Sequence, residues 1–113
     1  MKLNSFVATA AALLISVTSV VAHAGQQSGK VLRIYTRGGD GLVYVTLDGA
    51  STGRPACAAT TLYWAIKSEN TDAGKRQFAQ LLAAQTSGRT ITIYGENACT
   101  RWHDSEDIET IES

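Results

Sequence analysis

The sequence predicts a β-rich fold, a five-stranded Greek-key barrel of the OB type with one helix between strands three and four. Three observations predict it. Short segments alternate with period two, one stretch of helical spacing follows the third of them, and glycine-rich or polar turns separate them. An α+β sandwich, with the helix laid on an open sheet, shares this element order.

The elements follow in order. Val31 to Arg37 alternates, with Leu32, Ile34 and Thr36 on one face and Val31, Arg33, Tyr35 and Arg37 on the other. Gly38 to Gly41 is a turn, and Leu42 to Leu47 returns as the second strand of a hairpin, Val43, Val45 and Leu47 facing the core. Asp48 to Ala56 reads as loop and holds Pro55, the one proline. Thr61 to Lys67 is a third strand with two large aromatics. The polar stretch from Ser68 to Asp72 offers capping side chains to a helix over Ala73 to Ser87, whose apolar stripe is Phe78, Leu81 and Leu82. Gly88 suits the position that ends it. Arg89 to Tyr94 is the fourth strand, and Glu106 to Ile111 the last.

A leader precedes these elements. Lys2 supplies a positive start, Phe6 to Val21 is apolar, and Ala22-His23-Ala24 is a small-x-small cleavage site. Residues 1–24 are therefore expected to be a signal peptide, with Gly25 the first residue of a single exported domain, 25–113. Removing 24 of 113 residues leaves 89. A chain of that size buries only about 60–65% of its unfolded surface and gains much from a staple. Two cysteines in an oxidising compartment, without a C-x-x-C spacing, predict a Cys57–Cys99 disulfide. No segment after the leader is apolar and long enough to span a bilayer.

Charge excludes more than it suggests. Ten Lys/Arg include Lys2 of the leader, so nine stand against ten Asp/Glu in the exported part. Near neutrality argues against a nucleic-acid binder. The acids of the C-terminal stretch, Asp104, Glu106, Asp107, Glu109 and Glu112, read as a solvated tail, and Lys30, Arg33 and Arg37 as a solvated strand. The outer helix face carries Ala73, Arg76, Gln77, Gln80, Ala83, Ala84 and Ser87. Small and amide residues there suggest a subunit contact, whereas alanine alone is also simply the best helix former.

The residues do not suggest an enzyme. His103 is the one histidine outside the leader, and although Asp104 and Glu106 lie beside it, one histidine with loop acids is a poor metal or acid–base set. No nucleophile elbow, phosphate loop or cofactor motif is present, so no metal and no cofactor are expected. Binding is the better expectation. Ser28, Tyr35, Tyr44, Tyr63, Trp64, Tyr94 and Trp102 offer hydroxyls and rings suited to sugars, Trp64 and Trp102 being read as structural.

Ser28-Gly29 before a strand, Gly38 ten positions on, Tyr44, "PACAATTLYWA", "FAQLLAAQTSG" and "TITIYG" together resemble the binding subunits of pertussis-like toxins, among them subtilase cytotoxin and typhoid toxin. The resemblance runs from Ser28 to about Gly95. It implies an OB fold, a pentameric ring with helices lining the pore, a catalytic A subunit as partner, and binding of sialylated cell-surface glycans. Ser28 matches the serine that contacts sialic acid, with Gly29 and Tyr94 beside it as candidate glycan-binding residues. Ala24 stands where the family has an acid, Gly95 where it has a tyrosine, and the second strand lacks the family's first cysteine. The alternative is a periplasmic OB-fold protein that binds another protein or an oligonucleotide.

Overall fold

The computed structural model describes residues 11–16 and 24–113, so most of the expected signal peptide lies outside the described residues. The domain is a mixed six-stranded sheet with one α-helix. Its strands are β1 (Gln26–Thr36), β2 (Val43–Leu47), β3 (Ser51–Thr52), β4 (Trp64–Ala65), β5 (Thr90–Gly95) and β6 (Glu106–Glu112), with α1 (Asp72–Ser87) between β4 and β5. β1 pairs with β2, β2 with β4, β4 with β6, β6 with β5, and β5 with β1, so the hydrogen bonding returns to its starting strand. Only the β4–β6 step is parallel.

β1 departs from the sequence expectation in length and in phase. It begins at Gln26, five residues before the expected start, because its first half has a partner on each edge: β5 along Gln26–Lys30 and β3 at Gln26–Gln27. Val31 pairs with Leu47 and Arg33 with Thr46, leaving Leu32 as a bulge. A bulge exchanges the two faces of a strand. Gln27, Gly29 and Val31 are buried before it, whereas after it Ile34 packs on the core and Arg33 and Tyr35 turn outward. Leu32 itself is 56% exposed, against the expectation that it shares a face with Ile34.

The third strand shortens to Trp64–Ala65, and a two-residue β3 appears in the stretch expected to be loop. The cause is Arg54. Its Nη1 donates to the carbonyl of Thr61 at 2.9 Å and its Nη2 to that of Tyr63 at 2.7 Å, so these carbonyls serve a side chain rather than a ladder.

The core is Val31, Val43, Val45, Leu47, Trp64, Ile66, Leu81, Ala84, Ile91, Ile93, Ile108 and Ile111, with Phe78 and Ile34 packed against it. Trp64 is fully buried and structural, its indole Nε1 donating to Gln27 Oε1 at 2.7 Å. Thr71 Oγ1 accepts from Gly74 N at 3.1 Å and caps α1, whose other end is Gly88 at φ 66°. The Cys57–Cys99 disulfide ties the 3-10 turn Ala56–Ala58 to the loop before β6. Among the described residues, no helix is long and apolar enough to cross a membrane.

The C-terminal acids are divided. Glu106 and Asp107 open β6 and are fully buried, while Glu109 and Glu112 are exposed. β6 lies between β4 and β5, so its first residues cannot be a solvated tail.

Candidate functional site

Four aromatic side chains from four parts of the chain meet on the outer surface beside β1, β2 and β4. The Leu32 bulge points Tyr35 outward, and antiparallel register sets it opposite Tyr44, whose ring stacks on it at 4.5 Å between centroids. Tyr63, just before β4, stands edge-on to both, 6.2 Å from Tyr35 and 5.2 Å from Tyr44. Trp102, from the loop before β6, lies 4.8 Å from Tyr44 and 5.6 Å from Tyr63. The Arg37 guanidinium lies over the Trp102 ring at 5.5 Å, a cation–π contact. All four rings are half-buried, so each gives one side to packing and keeps part for solvent.

The patch borders a groove of about 540 Å³ whose walls include Arg33, Tyr35, Thr46, Thr60 and Tyr63. Leu32 and Leu62 also line it, 56% and 73% exposed. Arg33 is exposed and makes no ion pair among the described residues. The groove therefore combines ring faces, threonine hydroxyls and one positive charge, a set suited to a ligand with an apolar face, hydroxyls and an anionic group.

A charge network holds the patch from below. Arg37 pairs with Asp40 in the hairpin turn, and Arg101 Nε donates to Glu69 Oε1 at 2.8 Å while its Nη2 donates to the Asp40 carbonyl at 3.0 Å. The Arg37 hydrogen bond, helped by the Leu42 N–H, holds the Asp40 carboxyl well below the usual carboxylate range. Burial, the largest single influence, pushes the Glu69 carboxyl up, but the Arg101 hydrogen bond, a backbone N–H and the Arg101 charge together outweigh it and the net direction is down. Both folded-state values are depressed, so their stabilisation is present above the unfolded carboxylate range near pH 4 and is lost as pH falls below it. Arg101→Met should flatten the acid limb of stability between about pH 5 and 3. Urea unfolding followed by tryptophan fluorescence at several pH values checks this, and an unchanged acid limb counts against the network.

Ser28 and Tyr94 share the outward face of β1 and β5. Ser28 stands opposite Thr92, its Oγ 2.7 Å from Thr92 Oγ1, and Tyr94 stands opposite Gln26, so the two are diagonal neighbours. Gly29 instead faces inward: a Cβ there would lie 2.6 Å from Asp48 Oδ1, so its place is set by close backbone approach. Ser28 and Gly29 are on the β5-paired half of β1 and Tyr94 is across from that half on β5, whereas the aromatic patch is beside the β2-paired half.

The helix face also divides. Ala84 is buried in the core, Gln77 Nε2 donates to the Glu109 carbonyl at 3.2 Å, and Gln80 Nε2 to that of Ile111 at 2.9 Å. Ala73, Arg76 and Ala83 remain exposed. His103 is on the surface, its side chain 86% exposed and 4.0 Å from Asp104. Among the described residues, no three His, Cys, Asp or Glu side chains gather as metal ligands would.

Arg33, Leu32 and Leu62 were not legible as site residues, because the bulge that exposes the first two leaves no mark in composition. The aromatic partners were each visible as candidates, but nothing in their spacing joins positions 35, 44, 63 and 102. Comparison of the chain with protein-family models, curated proteins and solved structures finds no match.

Proposed function

We propose that this chain is an exported sugar-binding protein that takes anionic, sialic-acid-type glycans in the groove beside Tyr35 and Tyr63. The observation that carries this reading is a cluster of four half-buried rings, two of which, Tyr35 and Tyr63, wall an open groove that also holds Arg33. A pyranose presents an apolar face to a ring and its hydroxyls to Thr46 and Thr60, and a sugar carboxylate finds a counter-charge in Arg33. The circuit of strand pairings, with its parallel β4–β6 step and the helix between β4 and β5, supports an OB-type barrel. The exposed Ala73, Arg76 and Ala83 leave part of α1 for a ring of subunits, and sedimentation of the purified protein tests that assembly.

A glycan array decides between the two surfaces. Tyr63→Ala and Arg33→Ala should each weaken binding at least about tenfold, a loss of about 1.4 kcal/mol or more. Ser28→Ala should leave binding by the groove unchanged. The reverse pattern would move the site to the face of Ser28, Thr92 and Tyr94, and binding by no glycan would sink the sugar reading.

A protein partner in the same groove is the second reading, favoured by the exposure of Leu32 and Leu62. It requires that Leu62→Ser abolish an association that no free glycan competes.

A further inference from the structure

Glu106 sits on the core side of β6 with Ile108 and is fully buried. Its Oε2 accepts from Gly25 N at 2.9 Å and from Asn97 N at 3.0 Å. Its Oε1 has no hydrogen-bond partner among the described residues. Such a group is costly, because a buried carboxylate oxygen has given up water for nothing.

Two glycines make the room for it. A Cβ on Gly25 would lie 2.2 Å from Glu106 Oε1, and one on Gly95 would lie 1.8 Å from Oε2. Gly25 is buried and fixed on its other side, its carbonyl accepting from Gly95 N at 2.8 Å, while Ala24 is exposed. The charged groups that face this point are Glu106 from β6 and Arg54 from the loop after β3; β5 presents Gly95, which carries none. Arg54 spends both Nη atoms on carbonyls and lies over the Trp64 ring at 4.2 Å, and its buried Nε, without a partner among the described residues, does not bond Glu106. The carboxylate is thus left with one oxygen open toward Gly25.

We infer that Glu106 is the docking site for an α-ammonium on Gly25, created when the Ala24–Gly25 peptide bond is hydrolysed on export. In that hydrolysis the water oxygen joins the Ala24 carbonyl carbon as a carboxylate. Both water protons end on the Gly25 nitrogen, which leaves as an ammonium. A peptide N–H offers one proton and satisfies Oε2 alone. The ammonium offers three, keeps that bond, supplies Oε1 with the donor it lacks, and adds a second positive charge to that of Arg54. The bond to be cleaved joins exposed Ala24 to buried Gly25, so it is more accessible before Gly25 is enclosed. Removal of the leader then completes the fold as well as releasing it. This inference rests on the cleavage site and is independent of the sugar reading.

The full chain is exported from a bacterial host and its amino terminus fixed by intact mass. It is compared with a form that begins at Ala24, released from a fusion partner and oxidised, and with Glu106→Gln. The Gly25 amine is followed by NMR and stability by urea unfolding from pH 7 to 10. Pairing raises the amine above its ordinary value of about 8, so its stabilisation is present below pH 8 and is lost as pH rises through the folded value. The expected result is a folded-to-unfolded ratio that falls at least about tenfold more in the processed protein than in the Ala24 form, one pKa unit being tenfold. Parallel curves, an amine titrating at about 8, or a processed terminus other than Gly25 would each overturn the inference. If Glu106→Gln does not fold, the processed and Ala24 forms, which both keep the carboxylate, still decide it.

Discussion

Asp107→Ala should cost about 3–5 kcal/mol, most of the stability of a domain this small. The carboxylate is fully buried and organises the loop before β6. Its Oδ2 accepts from Thr100 N at 3.1 Å and from the Thr100 hydroxyl, and its Oδ1 from Arg101 N at 3.1 Å. Each bond to a charged acceptor is worth about 1.5–3 kcal/mol, and truncation leaves three part-buried donors without a protein partner. Asp107→Asn keeps one acceptor oxygen but turns an N–H₂ group toward a donor, so an intermediate loss is expected. Urea unfolding of the three proteins checks the order. A change below about 1 kcal/mol in the alanine variant would mean that water replaces the carboxylate and that the loop is held elsewhere.

Removing the disulfide is expected to rank second only in certainty of mechanism, not in size. Cys57 and Cys99 are 42 residues apart, and opening that loop costs about 4 kcal/mol by chain entropy. Cys57→Ser with Cys99→Ser, or the native protein in reductant, should lower the urea midpoint accordingly. The two large effects are not independent. Cys99 and Thr100 are neighbours on the loop that Asp107 gathers, so the combined variant should lose less than the sum of the two, by about 0.5 kcal/mol or more. Strict additivity would show that the disulfide and the carboxylate hold separate parts of the loop. Because Arg101 and Trp102 leave the same loop, either change should also loosen the aromatic patch, and with it the glycan binding proposed for the adjoining groove.

The hairpin of β1 and β2, the helix and its ending at Gly88, the strands after it and the Cys57–Cys99 bridge were legible because each follows from local chemistry. Alternation, a left-handed glycine and a cysteine pair are properties of short segments or of counts. The third strand was read too long, since Thr61–Tyr63 has strand composition and only Arg54, far enough away to belong to another segment, diverts its carbonyls. The acidic stretch was misread for a similar reason. Glu106 and Asp107 look like solvent-facing residues by type, yet they pair with β4 on one edge, Asp107 bonds the backbone of Glu96 and Ala98 on the other, and both carboxylates are enclosed against backbone N–H groups.

The candidate site divides in the same way. Tyr35, Tyr44, Tyr63 and Trp102 could be named as binding candidates from their chemistry, whereas their meeting depends on two strand pairings and a loop. One bulged residue, Leu32, decides that Arg33 and Tyr35 face solvent rather than the core. By itself the sequence determined a β-rich domain with one helix, the ends of that helix and the disulfide pair. Only the tertiary structure decided which face of β1 is outside, which carboxylates are inside, and where the aromatics converge. Periodicity specifies a strand's two faces without saying which is buried, and a single extra residue exchanges them.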